Sequence, residues 1–133
     1  MRIALVALLL VSVVGCTQGS PAEINSRTGE ALHRSTNTEL AAAYGIPVWG
    51  QSKKIRSELE RRKAFTAQEW EMIDARQVMV GSSRDLVLAS RGAPQTVRRS
   101  ASVYGSSETW IYERSGDRDY IYFQGGQVVG WDD

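Results

Sequence analysis

Residues 109–133 read TWIYERSGDRDYIYFQGGQVVGWDD, and the punctuation of this stretch decides the fold class. Runs rich in aromatic and β-branched residues, Glu108 to Glu113, Arg118 to Gln124 and Gln127 to Trp131, are separated by Arg114-Ser115-Gly116-Asp117 and by Gly125-Gly126. Gly-Gly between two such runs predicts a two-residue hairpin turn, because glycine reaches the positive φ that these turns demand. Upstream, Val97, Ala101 and Val103 alternate with polar neighbours and precede Tyr104-Gly105-Ser106-Ser107. Four strands joined by short polar turns predict an antiparallel meander.

The turns also predict a register. With Arg114 to Asp117 as a four-residue turn, Trp110 stands opposite Ile121 and Glu108 opposite Phe123. These residues, with Tyr112, Val128, Val97, Ala101 and Val103, are expected on the side that packs against helices. With Gly125-Gly126 as the turn, Gln124 pairs with Gln127, Tyr122 with Val129 and Tyr120 with Trp131. Ile111, Tyr120, Tyr122, Val129 and Trp131 then form an apolar patch on the opposite face, where a solvated sheet is ordinarily polar. Tyr and Trp are enriched among binding hot spots, so these five are the candidate partner-binding residues. The competing expectation is that Leu40 and Tyr44, or a dimer mate, cover the patch; a one-residue slip would exchange the faces.

Before the strands the period is helical. Ile55 and Leu59 stand four apart on a helix running to about Lys63. Thr66-x-x-Glu69 is a capping box opening a helix that turns Trp70 and Ile73 to one side. After Gly81, Ser82 or Ser83 can cap Asp85 to Ser90, with Leu86 and Ala89 inward and Gly92 and Pro94 as the stop. Thr36-x-x-Glu39 before Leu40 to Gly45 repeats the capping-box pattern. Short helices followed by a meander make an α+β chain, with the N-terminal helices packed on the four-stranded antiparallel sheet.

The first residues specify a compartment. Arg2 and the apolar run from Ile3 to Val14 have the form of a signal peptide. The run is shorter than the roughly 20 residues that span a bilayer. It ends in Val13-Val14-Gly15-Cys16, which resembles the bacterial lipobox. Cys16 is the only cysteine, and acylation accounts for an odd cysteine in a secreted chain better than a leftover or buried thiol does. Resemblance to bacterial lipoproteins implies diacylglycerol on the Cys16 sulfur, a further acyl chain such as palmitate on its amino group, and, with Thr17 following in place of Asp, anchoring on the periplasmic side of the outer membrane. Three expected parts follow: 1–15, a signal peptide; 16–50, the lipidated cysteine and a flexible tether with room for one short helix; and 51–133, the compact domain.

Charge and residue chemistry exclude more than they assign. The full chain has 16 Lys and Arg against 15 Asp and Glu, and loss of Arg2 with the signal peptide balances them. No nucleic-acid partner is expected from such a balance. His33 is the only histidine and falls in the expected tether, so neither a Cys/His pair nor a Ser/His/Asp triad assembles in the domain. The spacing of the carboxylates predicts neither a metal site nor a cofactor beyond the covalent lipid, and no small-molecule substrate. Glu58, Glu60, Glu69, Glu71 and Asp74 leave a two-carboxylate hydrolase as the enzymatic alternative, against the commoner reading of a solvated helix face. Lys53, Lys54, Arg56, Arg61, Arg62 and Lys63 are candidate membrane-contact residues that suit anionic headgroups. The rival reading is a helix laced with i,i+4 pairs such as Lys54 with Glu58.

Together these elements resemble the SmpA/OmlA superfamily of small outer-membrane lipoproteins, which includes the BamE component of the β-barrel assembly machinery. The resemblance rests on Val80-Gly81 before a capped helix, Gly92-Ala93-Pro94 after it, Glu108 to Tyr112, and Ile121 to Val128. Ser82 stands where the family usually has methionine, and Arg91 where leucine is expected. The resemblance implies a two-layer fold of helices on a sheet, also seen in β-lactamase inhibitor proteins. It also implies a non-enzymatic module that binds an envelope protein and supports outer-membrane protein assembly or envelope integrity. The alternative on the same scaffold is a periplasmic inhibitor or regulator of an envelope enzyme.

Overall fold

The computed structural model describes residues 29–46 and 52–132. Within them five helices precede one sheet: α1 (Gly29–Arg34), α2 (Asn37–Tyr44), α3 (Ser52–Arg61), α4 (Ala67–Asp74) and α5 (Arg84–Arg91), then β1 (Thr96–Ser102), β2 (Gly105–Arg114), β3 (Asp117–Gln124) and β4 (Gln127–Asp132). The strands lie in the order β1-β2-β3-β4, each antiparallel to the next. The expected α+β architecture is therefore present.

Local chemistry sets the helix ends. Thr36 and Glu39 form a reciprocal capping box, the Glu39 N–H donating to Thr36 Oγ1 at 3.2 Å and the Thr36 N–H to Glu39 Oε2 at 2.8 Å. Thr66 and Glu69 repeat it at 3.2 and 2.7 Å. Ser83 caps α5 by accepting from the Leu86 N–H at 3.2 Å. Each box satisfies two amides that the first helical turn leaves without partners.

Helix α5 organises the interior. Leu86, Val87, Leu88, Ala89 and Ser90 are all buried, and a short helix buried over so much of its circumference must be covered on more than one side. Trp110, Tyr112, Ile121, Phe123 and Val128 of the sheet share one core with it, and Leu40, Ala41, Ile55, Leu59, Trp70 and Ile73 of the other helices complete that core. The end of α2 comes so close to the end of α5 that a Cβ on Gly45 would lie 2.1 Å from the Leu88 carbonyl and 2.5 Å from Gly92 Cα. Gly92 itself turns with φ 82°, a conformation that favours glycine.

The boundary at residue 51 therefore moves. The expected tether over 16–50 contains α2, which is the one short helix expected there, and also α1, and Leu32, Leu40, Ala41 and Ala43 are core residues. Local sequence signalled α2 through its capping box, but not that either helix is buried against the rest of the domain. Residues 17–28 and 47–50 of that tether, with the signal peptide, Cys16 and Gln51, lie outside the described residues.

The central register agrees with the sequence reading: Trp110 pairs with Ile121, Glu108 with Phe123 and Gln124 with Gln127. Two turns are tighter than expected. Ser115-Gly116 is a two-residue turn with φ 49° and 99°, and Arg114 and Asp117 close it as a strand pair. Val103-Tyr104 is the turn between β1 and β2, so Gly105 to Ser107 belong to β2. Ala101 and Val103 are not core residues: both are exposed, Val103 at 94%. Alternation assigned them a face, but the helical layer does not reach that end of the sheet.

Leu40 distinguishes a core helix from a tether. Leu40→Ala is expected to cost about 2–5 kcal/mol, as for other fully buried leucines. Urea denaturation of the full chain measures it; a loss below about 0.5 kcal/mol, usual for a surface site, would contradict the placement.

Candidate interaction surface

The five residues expected on the outer sheet face do not stay together. Ile111 lies between its cross-strand partners Thr96 and Tyr120. It is only 5% exposed, yet it is absent from the core cluster that contains Trp110 and Tyr112 on either side of it. It is thus the buried centre of the face away from the helices. Tyr120 and Tyr122 flank it half-buried, and the Tyr122 hydroxyl donates to Asp132 Oδ2 at 3.0 Å. That bond and the charge of the carboxylate raise the Tyr122 phenol above its usual value.

Val129 and Trp131 leave this patch because of a β-bulge. Phe123 pairs with Val128 but Tyr122 pairs with Gly130, so Val129 is an extra residue with no partner across the ladder. Every position after it shifts by one. Trp131 stands opposite Ile121, and Tyr120 opposite Asp132, in place of the expected Tyr122–Val129 and Tyr120–Trp131 pairs. Val129 and Trp131 are exposed at 51% and 44%. Near them the edge of β4 is bridged by the turn before α5: the Gly81 N–H donates to the Val128 carbonyl at 2.8 Å and the Val128 N–H to the Ser82 carbonyl at 2.9 Å. Met79 and Val80 of that turn are also exposed.

The basic cluster on α3 divides into two kinds of residue. Arg56 donates to both oxygens of Asp74 at 2.6 and 3.1 Å, to Glu60 at 2.8 Å and to the Tyr44 hydroxyl at 3.1 Å. Its guanidinium also lies 4.5 Å from the Trp70 ring centre. Arg61 and Arg62 both bind Glu58, at 2.7 and 2.6 Å. Lys53, Lys54 and Lys63 are exposed, and among the described residues no carboxylate pairs with them. In particular, Glu58 is taken by arginines and not by Lys54.

Glu58 is the most heavily engaged carboxylate of the described residues. Its side chain is 6% exposed and also meets His33 Nδ1 at 3.0 Å. Arg62 runs on from it to the end of α1, donating to the Leu32, His33 and Ser35 carbonyls at 3.0, 2.9 and 2.6 Å and to Asn37 Oδ1 at 3.1 Å. Arg62, paired with Glu58, thereby adds donors to the carbonyls at the end of α1, of which Leu32 also accepts from the Ser35 N–H at 3.1 Å, and clamps α1 to α3. The Arg61 bonds, with those of Arg62 and His33, hold the Glu58 carboxyl well below the usual carboxylate range against the opposing effect of its burial.

This arrangement suits structure better than chemistry. His33 and Glu58 line an open cleft of about 400 Å³ with Leu32, Lys54, Ser57 and Arg61. No hydrogen bond joins Ser57 to His33 there, and a carboxylate bound by two arginines is a poor base. Among the described residues no group of three His, Cys, Asp or Glu side chains is placed to hold a metal, and no helix is long and apolar enough to cross a membrane.

Sequence reasoning missed two exposed apolar sites, Met79-Val80 and the turn Val103-Tyr104. The second was readable in principle, since a two-residue turn anywhere between Ser102 and Gly105 would have put those side chains at a tip. No family model, no curated protein and no solved structure matches this chain.

Glu58 makes a pH prediction. A carboxylate whose folded pKa is depressed contributes stability that is complete above its unfolded value, about 4.3. The contribution is lost as pH falls through the lower folded value. Glu58→Gln is expected to cost about 3 kcal/mol at neutral pH and to flatten the loss of stability between about pH 5 and pH 2. Thermal unfolding of both proteins across that window measures the difference; parallel curves would assign the acid sensitivity to other carboxylates.

Proposed function

We propose that this chain is a lipid-anchored, non-enzymatic interaction module of the bacterial envelope, held at Cys16 on the periplasmic side of the outer membrane. Its protein contact is the outer sheet face centred on Ile111, Tyr120 and Tyr122. The observation that carries the reading is the pairing of Val13-Val14-Gly15-Cys16, a sequence that resembles a lipobox, with a sheet whose second face has its own buried apolar centre. The outer face of an antiparallel sheet is ordinarily polar. Two half-buried tyrosines around a buried isoleucine offer large contact area at low entropic cost. The resemblance to the SmpA/OmlA superfamily makes a component of outer-membrane protein assembly the first partner to test. A soluble periplasmic hydrolase in its place would favour the inhibitor reading.

Two experiments test the proposal. Cys16→Ala is expected to abolish acylation and leave an uncleaved precursor or a soluble product, and mass spectrometry of the wild-type chain finding unmodified Cys16 would refute the anchor. Tyr120→Ala combined with Tyr122→Ala is expected to reduce crosslinked capture of the partner from membranes at least about tenfold while the chain still unfolds cooperatively. Undiminished capture by the folded variant would place the contact elsewhere.

A further inference from the structure

The hairpin between β1 and β2 ends in two apolar residues that the fold does not need. Val103 is 94% exposed and Tyr104 89%, at the point where turns usually carry Asn, Asp or Gly. Nor does the turn require them for its geometry. Neither has a positive φ, and the left-handed step is taken by Gly105 at 120°. The last two pairs of the hairpin, Ala101 with Ser106 and Ser102 with Gly105, extend past the end of β3, whose last residue Gln124 lies opposite Ser107. Val103 and Tyr104 therefore form the tip of a short finger.

We propose that this finger dips into the surface of an anionic lipid bilayer, with Val103 and Tyr104 at the boundary of the hydrocarbon and the arginines behind them at the phosphates. Four observations select a bilayer. First, Ser100 to Ser107 contain no charge, and the neighbouring β3–β4 turn, Gln124-Gly125-Gly126-Gln127, is uncharged too. Second, cations prevail behind this end: Arg84, Arg98 and Arg99 outnumber Glu108 and Asp85. Glu108 is bonded to Arg84 at 2.6 Å and lies 3.7 Å from Arg99. Third, the spacing fits. At about 3.3 Å per residue, the exposed Arg98 lies roughly 16 Å behind Val103, and an arginine extended toward the tip brings its charge within about one Debye length of the headgroups. Fourth, the tip is partly satisfied internally, since the Tyr104 N–H donates to Ser102 Oγ at 3.2 Å. Buried backbone donors otherwise resist leaving water. Tyrosine is itself a residue of membrane–water interfaces.

Two side chains hold a free protein to a bilayer only weakly, and here the inference rests on the proposed Cys16 anchor. The 12 residues between Cys16 and Gly29 would span up to about 45 Å if fully extended, a length over which anchoring at Cys16 would keep the domain beside the membrane. Anchoring makes the second contact intramolecular, where a weak contact suffices.

A thiol-reactive environment-sensitive fluorophore at Ser106→Cys tests the finger in the acylated full-length mature chain, with Ser115→Cys, at the opposite end of the sheet, as control. In vesicles of phosphatidylcholine with phosphatidylglycerol, the probe at 106 is expected to shift to the blue and to be quenched by nitroxide-labelled lipid, and the probe at 115 is not. Val103→Ser with Tyr104→Ser should abolish the shift. Arg98→Ser should lower the inserted-to-free ratio about fivefold. Equal responses at 106 and 115, or a shift that survives the double substitution, would overturn the proposal. A blue shift at 106 without vesicles would assign the tip to a second copy of the chain instead. Mass spectrometry counts the labels: two per chain mean that Cys16 is not acylated and the anchor fails. The comparison is then repeated in the Cys16→Ser chain held to the vesicles by an N-terminal polyhistidine on a nickel-chelating lipid, which restores the intramolecular contact, so that the contrast between 106 and 115 still decides the finger.

Discussion

The close approach of Gly45 to Gly92 is the contact on which the rest of the molecule depends. Helix α5 buries Leu86 through Ser90, and the sheet covers only one side of it. Something must cover the other, and α2 does so by laying its C-terminus directly on the end of α5. There is no room for a side chain at Gly45, where a Cβ would collide with backbone. Backbone cannot move aside as a flexible side chain can, so this position accepts glycine alone. Once α2 is seated, α3 and α4 follow: Tyr44 meets Trp70 edge to face at 5.8 Å, and Trp70 meets Phe65 at 5.2 Å.

The polar groups reinforce this helical layer. Arg56 ties α3 to α4 through Asp74 and to α2 through the Tyr44 hydroxyl. Arg62 ties α3 to α1 through three carbonyls. Both arginines stand in what sequence presents as one cationic run, yet each acts as a fork that collects acceptors from several elements, a role lysine cannot fill with the same geometry. The three lysines of the run are exposed. The positive surface offered by α3 is thus smaller than its composition suggests, and the uncharged finger at the other layer carries the stronger case for a membrane contact.

The sheet separates three roles among its apolar residues. Trp110, Tyr112, Ile121, Phe123 and Val128 belong to the core. Ile111 anchors a second apolar centre on the far face, with Tyr120 and Tyr122. Val103 and Tyr104 stand clear of both. A single bulged residue, Val129, decides which side Trp131 joins, because side-chain direction alternates and one extra residue inverts everything after it.

Sequence by itself determined the elements whose causes are local: both capping boxes, a serine cap on α5 that the structure resolves from Ser82 or Ser83 to Ser83, the glycine stop after α5, the Gly125-Gly126 hairpin and, through it, the pairing of Gln124 with Gln127. It also determined the Trp110–Ile121 register, since either reading of the turn at Arg114 to Asp117 keeps that pair. Tertiary structure decided whatever depended on distant neighbours. Leu32 looks like an isolated apolar residue in a polar stretch, and the helix that carries Leu40 is legible from its capping box, but nothing local says that it is buried until α5 is there to be covered. Ala101 and Val103 alternate correctly but meet no helix. Glu58 has a plausible partner four residues away in Lys54, and loses it to arginines that can also reach α1. The bulge at Val129 leaves no mark in composition, because Val128 and Val129 are the same residue type and only the packing of Val128 against the core chooses between them. Local chemistry places the ends of elements; which faces are covered, and which are left to meet a partner, is settled by what the chain brings back from elsewhere.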